Sequence, residues 1–119
     1  MNIGDIEVAD CKVVRTDIHD RLITIYFDNL FCVGTKEYVS NIKLVIKNWS
    51  LFLAKLSILD SPFSKSKEMI MANQEIQKFD LIQELIVSGN KLEMRGFSKD
   101  SGHWMIYEFT DYELELKEW

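Results

Sequence analysis

The sequence predicts an all-β domain, at most mainly β with one short helix: an antiparallel β-sandwich or a strongly curved sheet of about eight strands. Three observations carry this. The 119 residues contain one proline and five glycines. β-Branched and aromatic residues gather in short runs separated by polar turns. Several of those runs alternate apolar and polar side chains with period two, as a half-buried strand does. A hydrophobic content of 47% and a charged content of 28% are those of a chain that folds on its own core. The length suits a single domain, 1–119.

The elements follow in order. Residues 10–16 read as a strand and Asp17-Ile18-His19-Asp20 as a turn, since Asp side chains bond nearby backbone. Residues 21–27 place Leu22, Thr24 and Tyr26 on one face and Ile23, Ile25 and Phe27 on the other. Both faces are largely apolar, which marks a central strand. Asp28-Asn29 reads as a turn, residues 30–33 as a short strand and 34–37 as a polar loop. In 42–47, Ile42, Leu44 and Ile46 face inward while Lys43 and Lys47 face water. Residues 51–59 alternate again. From 60 to 73 the pattern breaks into a loop containing Pro62, with at most one helical turn near 68–72.

Residues 79–87 fit a helical face through Phe79, Ile82, Leu85 and Ile86. They fit equally a strand in which β-branched Ile86 and Val87 enter the turn Ser88-Gly89-Asn90, and the strand is preferred. Residues 91–97, the turn 98–103, residues 104–109 and a terminal strand 112–119 read as a β-meander. So many antiparallel strands must close or fold onto themselves.

Several function classes are disfavoured. The first seven residues have no basic region followed by an apolar run, and no later segment approaches about 18 uncharged apolar residues, so a cytoplasmic protein with no membrane span is expected. Cys11 and Cys32 read as reduced, buried small hydrophobes. The only other soft ligands, His19 and His103, are distant in sequence, so neither a metal set nor another cofactor is expected. His19-Asp20 is a base beside an acid, but adjacent strand residues point apart and no nucleophile accompanies them, so no enzyme is expected. An overall acidic chain, pI near 5.0, disfavours nucleic acid as a partner.

Charge is unevenly placed. Residues 100–119 hold Asp100, Glu108, Asp111, Glu113, Glu115 and Glu118 against Lys117 alone, which accounts for the whole net charge of −5. Trp104, Tyr107, Phe109, Tyr112 and Trp119 are interleaved with them. An acidic, aromatic-rich end is placed to find a basic partner by its field. The candidate contact residues are Asp100, His103, Glu108, Glu113, Glu115 and Trp119. Set against this is a solvated edge strand kept from pairing with other chains by its charges.

The hairpin from Lys91 to Phe109, with Leu92, Gly96-Phe97, Lys99, Ser101-Gly102, Trp104, Tyr107 and Phe109, together with Ile46-Lys47-Asn48-Trp49, resembles predicted immunity proteins of bacterial polymorphic toxin and contact-dependent growth inhibition systems. These residues also have structural roles: Gly96 and Gly102 permit bends, and the aromatics fill a sheet face. The resemblance implies a protein that binds a cognate toxin domain, often a nuclease, and covers its active site or an essential surface; a monomer or weak homodimer is expected. It transfers no contact residue. The alternative is a sandwich that binds a lipid or sugar, with residues 62–73 as a lid over an apolar mouth containing Met69 and Met71.

Overall fold

Leu22 to Cys32 is the stretch around which the chain is arranged, because its Ile23, Ile25, Phe27 and Leu30 are fully buried and both of its edges are paired. In the computed structural model, which describes residues 6–8, 11–58 and 67–119, ten antiparallel strands form one open sheet. They are β1 (Ile6–Glu7), β2 (Cys11–His19), β3 (Leu22–Cys32), β4 (Glu37–Lys47), β5 (Leu51–Ile58), β6 (Lys67–Ile70), β7 (Phe79–Ser88), β8 (Lys91–Ser98), β9 (Trp104–Thr110) and β10 (Glu113–Glu118). Their order is β10-β4-β3-β2-β7-β8-β9-β5-β6, with β1 added beside the end of β3. The curved all-β class is as the sequence predicts, with ten strands rather than about eight. Between β6 and β7 lies a single 3-10 turn, Asn73–Glu75.

β2 joins the two halves of the sheet. Its first residues, Cys11 and Lys12, pair with Ile82 and Leu81 of β7, while Val13 to His19 pair with β3. A bulge between Val13 and Arg15 marks the change, and a bulge bends the strand that carries it. The halves then enclose one core. Ile23, Ile25, Phe27, Leu44 and Ile46 from one half, and Ile82, Leu92, Met94, Met105, Tyr107 and Phe109 from the other, are all fully buried in a single cluster. Each such side chain contributes about 1.5–3 kcal/mol by leaving water. An exposed ion pair contributes about 0–1 kcal/mol, so the core sets the fold and the charges decorate it.

The sequence and the structure differ at the turns. The stretch 17–20 is not a turn: β2 continues through Ile18, which packs against the core, and the reversal falls on Asp20-Arg21, with Arg21 at φ 58°. Asp28-Asn29 likewise lies inside β3, where Asn29 pairs with Ser40 and accepts a 3.0 Å hydrogen bond from its hydroxyl. In both places ladder pairing outweighs the local turn preference of Asp and Asn. Lys67–Ile70 is an edge strand on β5 rather than a helical turn. Residues 10 and 59–66, parts of the first strand, the fifth strand and the loop read from the sequence, lie outside the described residues.

The largest difference concerns the end of the chain. β9 is paired on both sides, with β8 and with β5, so it has no edge left for β10. β10 crosses to the other half and pairs with β4, where Leu114 and Leu116 lie beside Ile46 and Leu44 and join the core. The terminal strand is therefore not part of the β8–β9 meander.

Gly96 is a strand residue whose backbone lies under the bulged part of β7. A Cβ there would fall on the carbonyl oxygen of Leu81 and within 2.9 Å of the Ile82 Cα. Gly89, at φ 60° in a hairpin turn, has open space around it. Gly96→Ala is expected to cost about 3 kcal/mol or more in urea unfolding, and Gly89→Ala only about 1 kcal/mol. Thr16, 3% exposed, buries a hydroxyl with no hydrogen-bond partner among the described residues. Thr16→Val keeps the shape and removes the stranded hydroxyl, and should raise stability by about 1 kcal/mol in the same assay.

Candidate functional site

Register places residues from four strands on the outer face of the first half. Glu113 lies beside Lys47, Leu22 and His19 in one row; Glu115 beside Val45, Thr24 and Asp17 in the next; Lys117 beside Lys43, Tyr26 and Arg15 in the third. Period-two alternation along β10 turns Leu114 and Leu116 to the core and leaves Glu113, Glu115 and Lys117 outside.

Tyr26 is the centre of an aromatic and cationic cluster on this face. The Arg15 guanidinium lies 4.1 Å from the centre of its ring and the Lys43 ammonium 5.9 Å from it. The Trp119 ring meets Tyr26 edge to face at 5.3 Å. Trp119 is held at both ends: its backbone N–H donates to the Asn41 carbonyl at 2.8 Å and its indole N–H to the Phe27 carbonyl at 3.3 Å. It remains 46% exposed. A tryptophan fixed in position and half open to solvent presents apolar area at little further entropic cost.

The six candidate residues divide into three places. Glu113, Glu115 and Trp119 share the β10 face. Glu115 is bridged by Lys47 at 3.4 Å and Lys117 at 3.1 Å, and Glu113 accepts from the Asn48 amide at 2.8 Å. Glu108 lies on β9, in the other half, only 13% exposed and bridged by Lys55 at 3.2 Å and Lys91 at 3.6 Å. Asp100 and His103 belong to the β8–β9 turn, at the end of β9 remote from β10. There Asp100 accepts from the Lys78 backbone N–H at 3.0 Å, while the Ser98 and Ser101 hydroxyls both donate to the Gln77 side chain at 2.6 Å. The six candidate residues are thus in three separate places, and the carboxylates of each have partners within the fold.

Tyr26, Arg15 and Lys43 were not singled out by sequence. The signal was period two, but combining residues 15, 26, 43 and 117 requires knowing that β2, β3, β4 and β10 are neighbours.

A second feature lies where the β2–β3 turn, the β4–β5 corner and the segment after β6 meet. It is a cleft of about 390 Å³ with Trp49, Phe52, Ile18 and Ile76 among its walls and His19, Asp20, Arg21 and Asn73 at its rim. The Trp49 and Phe52 rings lie 5.5 Å apart, and Phe52 stacks on Phe109 at 4.8 Å. Arg21 donates to the Trp49 carbonyl at 2.6 Å, tying turn to corner. Met69 and Met71 do not form a common mouth. Met71 is buried, with its sulfur accepting the Gln77 N–H at 3.4 Å, and Met69 is exposed on β6.

The corner itself is closed by Asp111, at φ 50°, which accepts from the Ser50 hydroxyl at 3.0 Å and the Asn90 amide at 2.9 Å. Asn48, beside Trp49, reaches Glu113, so cleft and β10 face adjoin.

Among the described residues no group of three or more His, Cys, Asp or Glu could hold a metal ion, and no helix is long and apolar enough to cross a membrane. Comparison with protein-family models, with curated proteins and with solved structures gave no match.

Two carboxylates are held below their usual pKa range. Hydrogen bonds from Asn90 and then Ser50 lower Asp111, and hydrogen bonds from Lys117 and Lys47 lower Glu115. A depressed carboxylate contributes stability that is present above its unfolded pKa and lost as pH falls through its folded one. The urea midpoint should therefore fall as pH drops from about 5 to about 3. The double variant Asp111→Asn, Glu115→Gln should show a shallower fall; parallel curves would remove this assignment.

Proposed function

We propose that this chain is a cytoplasmic, non-enzymatic immunity protein that binds a cognate bacterial toxin domain, of nuclease type, with the outer face of β10, β4, β3 and β2. The observation that carries the reading is the seating of half-exposed Trp119 on Tyr26, itself beneath Arg15, next to an edge strand bearing Glu113 and Glu115 on the same face. Tryptophan, tyrosine and arginine are the side chains that most often dominate interface energies. On this face Glu113, Glu115 and Asp17 alternate with Lys47, Lys43, Lys117 and Arg15, a mixed charge pattern that fixes the orientation of a partner rather than a net acidic field.

The hairpin resemblance supports the same class of function, and the fold divides its residues. The aromatics Tyr107 and Phe109 are core, and Asp100 and Ser101 bind the turn to Gln77 and Lys78. These residues serve the domain, which leaves the β10 face for contact. Covering an active site needs only shape and charge, so no catalytic group is required of the inhibitor.

The test is surface plasmon resonance against the terminal domain of any large effector found encoded next to this chain's gene. Glu113→Lys with Glu115→Lys should slow association about tenfold at low salt, with the difference shrinking as salt rises. Trp119→Ala and Tyr26→Ala should each weaken binding by about 2 kcal/mol, mainly through faster dissociation. Asp100→Ala and His103→Ala should change affinity less than threefold, about 0.6 kcal/mol. Loss of binding in the last pair with retention in the others would reject this face.

A further inference from the structure

We infer that the cleft between the β2–β3 turn and the β4–β5 corner is a binding site for a small neutral carbohydrate of one or two rings. At about 390 Å³ it falls within the range of small-molecule sites. Its lining combines the two things a sugar ring requires. Trp49 and Phe52 supply an apolar aromatic wall for the C–H face of the ring. Asp20, Arg21 and Asn73, all exposed at the rim, supply acceptors and donors for hydroxyl groups. The Arg21 guanidinium is positioned in advance by its 2.6 Å bond to the Trp49 carbonyl, which uses one of five N–H donors. Trp49 is fixed in turn by Phe52 and by Phe109 at 5.3 Å.

Other ligand classes fit less well. Adjacent Asp20 and Arg21 offset each other, so a phosphate or carboxylate drawn to the guanidinium meets a carboxylate beside it, and a cation meets the reverse. A lipid tail has nowhere to go. The floor is Ile23, and behind it Ile25, Phe27, Leu44 and Ile46 are fully buried in the same packed cluster. An open cleft with a polar rim and a filled core beneath it holds a compact polar ring and excludes a chain.

The experiment is two-dimensional amide and indole NMR of the full chain titrated with a panel of hexoses, N-acetylhexosamines and their disaccharides. At least one should bind with a Kd of about 1 mM or tighter. Its shifts should be confined to residues 18–23, 49–52 and 73–76 and should include the Trp49 indole. Asp20→Ala and Asn73→Ala, exposed substitutions that leave the core intact, should each weaken that sugar at least about fivefold, and Trp119→Ala should leave it unchanged. The inference is overturned if no sugar shifts these resonances or if shifts scatter over the surface. It is overturned equally if the rim variants bind as the parent does, or if inorganic phosphate or decanoate occupies the cleft while sugars do not.

Discussion

Everything in this molecule depends on β2 being shared. A strand that pairs with β7 at one end and β3 along the rest, with a bulge where it changes partner, obliges a ten-stranded sheet to fold over itself. Only then can the inward faces of β3 and β4 meet those of β8 and β9 and bury more than a dozen large side chains in one cluster. A flat sheet of this width would leave one apolar face in water, a loss far larger than any surface ion pair could offset.

The folding of the sheet also decides where chemistry can be placed. With both edges of β9 occupied, the chain must leave through Asp111 and close the opposite half as β10. That crossing separates Glu108 from Glu113 and Glu115 and sets the latter beside Tyr26, Arg15 and Trp119. The same corner, drawn together by Asp111, Asn48 and Arg21, creates the cleft. Face and cleft adjoin because both are consequences of two connections, β4–β5 and β9–β10, passing the same end of the fold.

Much of this was legible in the sequence, and the reason for the rest is physical. Alternation at Ile42, Leu44 and Ile46 gave the correct inward face, because burial on one side of a pleat is a local, period-two signal. Residues 22–27, apolar on both faces, marked a central strand without saying that Ile23, Ile25 and Phe27 face the core. Where two signals competed, at 17–20 and 28–29, local turn chemistry was outweighed by pairing with a distant strand, which no short window contains. Gly96 looked like a bend and is instead a point of close backbone approach, set by a bulge in a different strand. The acidic segment was misleading in the same way: contiguity in sequence is not contiguity in space once a strand changes sheet halves. Trp119 lies just past β10, four and six residues beyond Glu115 and Glu113, and the even spacing keeps all three on one face. Their partners Tyr26 and Arg15 are neighbours only through register.

Hydrogen exchange of this chain, alone and mixed with a candidate toxin domain, tests the proposed docking face most directly. As an edge strand, β10 leaves half of its amides unpaired, so a partner on this face should slow exchange across residues 113–119 and along 41–47 and 24–28. Protection confined to the 98–103 turn or to β6, with β10 exchanging as in the free protein, would contradict it.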